Sequence, residues 1–223
     1  MANLITAARI VLLLITVGFI YLSLPHEGSP GEPVWALVSA GLTLVVFLGD
    51  AVDGVVARAR GEANELGAVV DIAGDRIVEN VYWVVMAHIG LLSVWFPLIM
   101  LVRSFTVDAL RSLALAEGKT PFGEKTMMTS RLGRWLAASR LHRGLYGGAK
   151  VVMFIWLLLQ LALMEQVARD PQWEATYGEA LRWAQVIGIA LAVFTLVYSL
   201  VRAAVVVWDS RHYLLRTSPS IQQ

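Results

Sequence analysis

The chain has 223 residues, of which 57% are apolar and 16% are charged, and its mean hydropathy is +0.65. Soluble domains average about 45–50% apolar and about 25% charged residues, so this composition is typical of a membrane protein with several spans. The absence of cysteine excludes disulfides and thiolate metal sites. The formal net charge of +1 excludes a strongly basic protein that binds nucleic acid.

Five long stretches lack Asp, Glu, Lys and Arg over lengths that suit membrane spans: residues 10–25, 33–48, 82–102, 151–164 and 183–201. The stretch 82–102 carries Gly90, Ser93 and Pro97 near its middle, which indicates two helices that meet at a turn. At about 20 residues per span, we predict six transmembrane helices, over residues 4–24, 33–58, 66–91, 94–116, 144–165 and 179–207.

The basic residues predict how these helices are oriented. The connection between the fourth and fifth helices carries six of the 18 Lys and Arg residues: Lys119, Lys125, Arg131, Arg134, Arg140 and Arg143. The opposite connections, 25–33 and 91–94, carry none, and the third, 165–178, carries Arg169 alone. Because an excess of Lys and Arg marks the cytoplasmic side, we predict that both termini and the basic connections face the cytoplasm. The expected fold is an all-α, six-helix multi-pass bundle in the inner cell membrane.

The apolar pattern also predicts the domain organisation. We expect one membrane domain over residues 1–208, followed by a polar C-terminal tail over residues 209–223. We expect the first apolar stretch to be retained and not cleaved as a signal peptide, because no convincing small-x-small cleavage site follows it.

Four aspartates lie where two neighbouring helices enter the apolar region. Asp50 and Asp53 follow the apolar part of the second helix, and Asp71 and Asp75 precede that of the third. A charged side chain that faces lipid costs at least about 2.5–3.5 kcal/mol, and aspartate is too short to reach the interface easily. We therefore predict that the four carboxylates line a polar cavity in the cytoplasmic half of the bundle.

Helical periodicity places these carboxylates on two facing surfaces. At 100° per residue, each helix presents its acidic residues within about 80–100° of one another, together with small residues: Asp50, Asp53, Gly54 and Ala57 on the second helix and Gly67, Asp71 and Asp75 on the third. Two antiparallel helices can then point all four carboxylates into one gap. The glycines on these faces would let a bulky ligand approach the backbone.

The chemistry of this gap predicts a metal-bound phosphate ligand. Four carboxylates in a low-dielectric site repel one another unless a divalent cation lies between them. Oxygen ligands without His or Cys select Mg²⁺, Mn²⁺ or Ca²⁺. Such a cation usually completes its shell with phosphate oxygens, and a cation pair on a diphosphate is typical of phosphoryl-transfer sites.

The same residues resemble a known family signature. The spacing D-x2-D-G-x2-A-R-x8-G-x3-D-x3-D over residues 50–75 is similar to that of the CDP-alcohol phosphatidyltransferases, and this chain fills every fixed position. Six helices with cytoplasmic termini are also that family's architecture. The resemblance implies a membrane enzyme of phospholipid biosynthesis that transfers a phosphatidyl group from CDP-diacylglycerol to an alcohol and releases CMP.

The resemblance also implies a role for each fixed position. Two divalent cations, Mg²⁺ or Mn²⁺, would bind the four aspartates of the signature: Asp50, Asp53, Asp71 and Asp75. Asp75 would also act as general base on the acceptor hydroxyl. The cytidine nucleotide would be surrounded by the other fixed residues: Gly54, Ala57, Arg58 and Gly67. The family commonly forms homodimers, so we expect a homodimer here.

Other residues indicate the acceptor alcohol. The opening N-x2-T-x2-R, residues 3–9, resembles that of the phosphatidylglycerophosphate synthases within this family, as does the spacing R-x7-R-x6-G-K that begins at Arg103. Arg103 and Arg111 would lie about 80° apart around a helix and about 12 Å apart along it. Together with Lys150 they suit a phosphate group on the acceptor, because arginine binds phosphate as a fork. We therefore favour sn-glycerol 3-phosphate.

Two alternatives stay open at this point. An inositol phosphate acceptor would satisfy the same arginines and lysine. A cation or proton transporter would use the aspartates as a relay, although it would not need the small residues and Arg58 at their fixed spacings. Metal-dependent release of CMP from CDP-diacylglycerol distinguishes the enzyme from the transporter.

Overall fold

The computed structural model describes residues 2–59, 65–120 and 126–215, and the side chains of residues 5–49, 70, 72–120, 126–170 and 172–213. Helices account for the regular structure in these ranges, apart from two isolated β-bridges. The helices are α1 (Ala2–Leu22), α2 (Pro33–Ala59), α3 (Glu65–His88), α4 (Trp95–Ala116), α5 (Arg131–Gly133, continued by a π-helical turn over Arg134–Ala138), α6 (Arg140–Arg169), α7 (Pro171–Asp209) and α8 (Arg211–Leu215).

The turn predicted within the stretch 82–102 is confirmed. Helix α3 ends at His88 and α4 begins at Trp95. Gly90 has a φ of +81°, a left-handed conformation that glycine adopts without a Cβ clash. The backbone N–H of Leu91 donates to the carbonyl of Met86 at 3.0 Å, which closes the end of the helix in the manner of a Schellman motif.

The connection predicted over residues 165–178 is wrong, because almost all of it is helical. Helix α6 continues to Arg169 and α7 begins at Pro171, so Asp170 alone separates them. The Asp170 side chain accepts a hydrogen bond from the backbone N–H of Gln172 at 2.9 Å, and Pro171 occupies the first helical position. An aspartate cap followed by proline is a typical start of a helix. The prediction did not use this signal, because the stretch is polar and lacks a long apolar run.

Three of the described helices are long and apolar enough to cross a membrane: Ile5–Leu22, Arg140–Arg169 and Gln172–Asp209. Pro33–Gly49 is a shorter apolar helix. Helices α3 and α4 carry several charged side chains, which shortens the uncharged part of each. The chain therefore has the helices of a membrane protein, while six spans and cytoplasmic termini stay predictions from the sequence.

The chain forms two compact units, of which the first comprises Met1–Pro97 and Lys150–Val193. Within this unit α1 packs against α2 and α3. Its core is aromatic: the ring of Phe154 lies 5.0 Å from that of Tyr82, 5.5 Å from that of Trp83 and 6.0 Å from that of Phe47, between ring centroids. The hydroxyl of Tyr82 shares a 2.9 Å hydrogen bond with that of Thr43, which satisfies this polar group inside the core.

The second unit comprises Leu98–Ala149 and Phe194–Gln223. Its buried core includes residues of α4, α7, α8 and the segment that precedes α6: Val107, Leu110, Ala114, Met127, Met128, Ala137, Ala203, Val206 and Tyr213. Lys119 donates a 3.2 Å hydrogen bond to the hydroxyl of Tyr213, and this bond raises the pKa of Lys119. The first part of the predicted polar tail thus includes a helix with a buried tyrosine.

Candidate active site

The signature residues lie in the C-terminal part of α2 and the N-terminal part of α3. Helix α2 includes Asp50 and Asp53, and α3 includes Asp71 and Asp75. Asp75 is the signature residue whose side chain the structure describes. The other predicted metal and nucleotide residues lie outside the described side chains: Asp50, Asp53, Gly54, Ala57, Arg58, Gly67 and Asp71. Their roles stay predictions.

Asp75 is paired with an arginine from the first helix. Arg9 Nη2 lies 3.1 Å from Asp75 Oδ1, and the side chain of Arg9 is 5% exposed whereas that of Asp75 is 40% exposed. Arg9 Nε also donates to the backbone carbonyl of Val46 in α2 at 3.2 Å. One guanidinium therefore connects α1, α2 and α3 beside the signature, and it leaves Asp75 accessible.

Sequence reasoning assigned no site role to Arg9, although a signal was present. Arg9 is the one charged residue within α1. A charged group inside an apolar helix is expensive unless a partner is present, so it points to a buried acid in a neighbouring helix. The sequence could not indicate which acid, because that depends on how the helices pack.

Two glycines let α1 approach the signature closely. Gly74 precedes Asp75, and a Cβ at Gly74 would clash with Thr6 Cγ2. Gly49 precedes Asp50, and a Cβ there would lie 3.2 Å from Arg9 Cγ. The Thr and Arg of the opening N-x2-T-x2-R motif thus contact the residues immediately before the first and last signature aspartates.

Another acidic residue of α3, Glu79, is fully buried and forms ion pairs with two basic side chains. Glu79 Oε2 lies 2.8 Å from Arg76 Nη1 and 3.3 Å from Lys150 Nζ. The side chain of Glu79 is 0% exposed and that of Lys150 is 12% exposed. Lys150, predicted from the sequence to bind the acceptor phosphate, is therefore an ion-pair partner of Glu79 in this structure.

In the second unit, Arg103 is buried against an aromatic ring. The residue is 7% exposed, and its Cζ lies 5.7 Å from the centroid of the Tyr146 ring. Arg103 Nε and Nη1 have no hydrogen-bond partner among the residues that the structure describes. A guanidinium has five N–H donors, and burying them without acceptors is costly. An anion of suitable size would satisfy them.

The Tyr146 ring also contacts a second arginine, which sequence reasoning missed. Arg202 Cζ lies 5.2 Å from its centroid. Unlike Arg103, Arg202 uses its donors within the protein, because Nε and Nη2 bind the carbonyls of Leu136 and Ala137 at 3.1 and 3.3 Å. The Tyr146 ring therefore lies beside one guanidinium that backbone carbonyls hold in place and one whose Nε and Nη1 have no partner among the described residues.

Arg111, the other predicted acceptor residue of α4, lies two turns beyond Arg103. Its side chain is 14% exposed, and Nη1 lies 3.3 Å from Asp108 Oδ1, one turn earlier on the same helix. The neighbouring carboxylate orients the guanidinium and offsets part of its charge. Both predicted arginines of α4 are thus largely buried in the second unit.

The fit of a divalent metal can be tested on Asp75. Within the described side chains no group of three or more His, Asp or Glu could hold a metal ion. Three of the four predicted ligands lie outside those side chains, so the complete donor set is not tested. Asp75 fits the role: its carboxylate is accessible, and carboxylate oxygens are the ligands that Mg²⁺ and Mn²⁺ prefer.

Comparison with known proteins identifies the family. The model of the family named CDP-alcohol phosphatidyltransferase matches residues 1–210. The chain belongs to the CDP-alcohol phosphatidyltransferase family. It is therefore a membrane enzyme of phospholipid biosynthesis that uses a CDP-alcohol as the donor of a phosphatidyl group, and the family assignment favours this reaction over the transporter alternative.

Two curated relatives of this CDP-alcohol phosphatidyltransferase have a more specific name. Both are called "Probable phosphatidylglycerophosphate synthase" and come from Mycobacterium tuberculosis, strains CDC 1551 / Oshkosh and ATCC 25618 / H37Rv. Each is 25% identical to the chain over 173 residues, which is 76% of this chain and 80% of the relative. The similarity spans most of both proteins but is too low to transfer the acceptor.

Proposed function

We propose that this enzyme transfers the phosphatidyl group of CDP-diacylglycerol to sn-glycerol 3-phosphate and releases CMP, which forms phosphatidylglycerophosphate. The observation that carries the choice of acceptor is Arg103, a buried guanidinium whose nitrogens Nε and Nη1 have no hydrogen-bond acceptor in the described part of the chain. The names of the two mycobacterial relatives support the same acceptor.

The charge of the acceptor follows from the chemistry of Arg103 and Arg111. Arginine stays protonated and presents planar N–H pairs that match two phosphate oxygens. A dianionic phosphate would therefore gain charge-assisted hydrogen bonds at Arg103 that neutral glycerol, neutral inositol or cationic choline cannot provide, and it carries more negative charge than the carboxylate of serine. A site whose buried donors need an acceptor rejects substrates that lack one. Lys150 stays a sequence-based candidate for the same phosphate.

We assign the donor side of the reaction to the signature. Asp50, Asp53 and Asp71 would hold two divalent cations, Mg²⁺ or Mn²⁺, with Asp75 as a further ligand; bound cations neutralise charge on the diphosphate as CMP leaves. Asp75 would accept the proton of the attacking hydroxyl. Arg9 would hold the Asp75 carboxylate in position, since it bonds Oδ1.

The same family assignment supports a proposal for the nucleotide site and the cellular setting. The cytidine nucleotide would lie against the small and basic positions of the signature: Gly54, Ala57, Arg58 and Gly67. We propose a homodimer in the inner cell membrane with the active site facing the cytoplasm. The basic residues between α4 and α6 support this orientation, because Lys and Arg are enriched on the cytoplasmic side.

A panel of acceptors tests the proposal. The purified protein would receive CDP-diacylglycerol with glycerol 3-phosphate, an inositol phosphate, glycerol, inositol or serine, and the lipid products would be identified by mass. We expect phosphatidylglycerophosphate as the main product and little product from the acceptors without phosphate. Asp75→Asn serves as the inactive control. If the main product came from the inositol phosphate, that compound would be the acceptor instead of glycerol 3-phosphate. A main product from serine or glycerol would contradict the assignment of a site for the acceptor phosphate.

A further inference from the structure

The segment that connects α4 to α6 has an exposed surface of mixed basic and apolar character. Its exposed arginines are Arg131 and Arg134, and Arg140, the first residue of α6, is exposed beside them. Between them, Leu132 is 54% exposed and Trp135 is 58% exposed. We call these five residues the 131–140 surface. None of its arginines forms an ion pair with a carboxylate in the part of the chain that the structure describes.

This surface is held on a folded support. Asp209, which is 3% exposed, accepts three hydrogen bonds at Oδ2: from the backbone N–H groups of Thr129 and Ser130, both at 3.1 Å, and from the Ser130 hydroxyl at 3.0 Å. Ser130 Oγ in turn caps α5 by accepting from Gly133 N–H at 2.8 Å. A carboxylate with three donors is a strong anchor, so the segment that carries the arginines is fixed to the end of α7.

The other end of the segment is also fixed. Arg202 donates to the carbonyls of Leu136 and Ala137, near the end of the π-helical turn, where backbone acceptors lack partners within the helix. Trp135 packs edge-on against His142, with ring centroids 4.3 Å apart. The side chains of the 131–140 surface therefore project from a backbone that is anchored on both sides.

We propose that the 131–140 surface binds the headgroups of anionic phospholipids in the leaflet that it contacts. Arginines mixed with leucine and tryptophan are typical of helices that lie in the interfacial plane, where the apolar side chains enter the acyl boundary and the cations meet phosphate. Each basic residue near an acidic bilayer favours the anionic lipid by up to about fivefold. The 131–140 surface would thus enrich anionic phospholipids in the part of the leaflet next to it.

Fluorescence quenching of Trp135 tests this binding separately from catalysis. The full-length protein would be placed in nanodiscs that contain brominated phosphatidylserine or, in equal amount, brominated phosphatidylcholine. The difference between the wild type and Trp135→Phe gives the quenching of Trp135 alone. We expect several-fold stronger quenching by the anionic lipid, weakened at high ionic strength because salt screens exposed charges. Equal quenching by the two lipids in the wild type would overturn the proposal.

Matched variants identify the groups responsible. The triple variant Arg131→Gln, Arg134→Gln, Arg140→Gln should lose the preference for the anionic lipid, whereas the three Arg→Lys changes should keep most of it because they keep the charge. Arg182→Gln removes a cation that is 74% exposed elsewhere in the chain and should leave the preference intact. A preference that persists in the glutamine variant would contradict the assignment. If that variant does not fold, the comparison of the two lipids around the wild type still decides.

Discussion

The guanidinium of Arg9 in α1 lies 3.1 Å from the carboxylate of Asp75 in α3, although the two residues are 66 positions apart in the sequence. Arg9 is buried and also bonded to the carbonyl of Val46, so its position is fixed by the protein. Asp75 is partly exposed, so its carboxylate is oriented from one side and accessible from the other. This is a suitable arrangement for a group that binds a metal or accepts a proton.

Replacing Arg9 should therefore impair turnover more than binding. We expect Arg9→Gln to lower kcat by about 10- to 100-fold, the usual effect of removing a residue that orients a metal ligand, with little change in the KM for glycerol 3-phosphate. Steady-state release of CMP measures both. Arg182→Gln, which removes an exposed arginine, is the control and should behave as the wild type. Wild-type kcat in Arg9→Gln would show that the role of Asp75 in turnover does not depend on its contact with Arg9.

The contact between Gly74 and Thr6 gives a second prediction. Alanine in place of a helical glycine normally stabilises by up to about 1 kcal/mol, but here the new Cβ would clash with Thr6 Cγ2. Threonine has few rotamers, so the contact cannot be relieved cheaply. Overpacking of this kind costs about 1–3 kcal/mol. We expect Gly74→Ala to lower the melting temperature in detergent and to reduce activity.

A compensating change separates this contact from other effects of the alanine. Thr6→Ser keeps the hydroxyl and removes the methyl group, so Gly74→Ala with Thr6→Ser should recover most of the lost stability. Gly41→Ala is the matched control, because a Cβ at this helical position meets nothing within 4 Å. It should be neutral or stabilising. Failure of Thr6→Ser to rescue Gly74→Ala would mean that α1 does not approach Gly74 as described.

The sequence predicted most helix ends because charged residues and turn formers bound the apolar stretches. Helix α4, predicted over 94–116, runs from Trp95 to Ala116, and α2, predicted over 33–58, runs from Pro33 to Ala59. The prediction failed where a helix is polar: the stretch 165–178 has no long apolar run, and its helices are set by the Asp170 cap and Pro171.

The candidate site was predictable in its residue types but not in its pairings. Spacing within one helix indicated which aspartates share a face. It could not indicate that Arg9 pairs with Asp75 or that Lys150 pairs with Glu79, because such contacts depend on the rotation and depth of each helix in the bundle. Asp209 illustrates the same limit: assigned to a polar tail, it is buried and binds Thr129 and Ser130.

Glu79 is expected to be a structural residue, since it is fully buried between Arg76 and Lys150. Glu79→Gln would remove the buried carboxylate that Arg76 and Lys150 both contact, and breaking a buried ion pair in this way costs about 3–5 kcal/mol. The melting temperature of the purified protein measures the effect. Glu179→Gln, at an exposed pair with Arg182, should change stability by less than about 1 kcal/mol. Equal melting temperatures for the two variants would contradict the buried pair.

The metal assignment predicts that chelation stops the reaction reversibly. After removal of divalent cations, release of CMP from CDP-diacylglycerol should cease, and Mg²⁺ or Mn²⁺ should restore it. Asp71→Asn should lose turnover even with the cation present, because an amide oxygen is a weaker ligand without the negative charge. Arg182→Gln, far from the signature in sequence, should titrate with Mg²⁺ as the wild type does. Wild-type turnover in Asp71→Asn would refute the assignment of this aspartate.

The acceptor site makes the most specific prediction, because Arg103 is buried with donors that lack partners in the described chain. If the acceptor phosphate binds there, Arg103→Gln should raise the KM for glycerol 3-phosphate at least tenfold, and Arg111→Ala should do so to a smaller extent since Asp108 already occupies part of its guanidinium. The KM for CDP-diacylglycerol should change little in either variant.

The same argument predicts a change in specificity that a purely structural role for Arg103 would not produce. The ratio of kcat/KM for glycerol 3-phosphate to that for glycerol should fall in Arg103→Gln, because the contribution of the phosphate is removed from one substrate only. A loss of stability would lower both values together and leave the ratio unchanged. Thr106→Ala is the control, because Thr106 is an exposed residue of the same helix whose hydroxyl donates to the backbone carbonyl of Val102, one turn earlier. An unchanged ratio in Arg103→Gln would place the acceptor phosphate elsewhere.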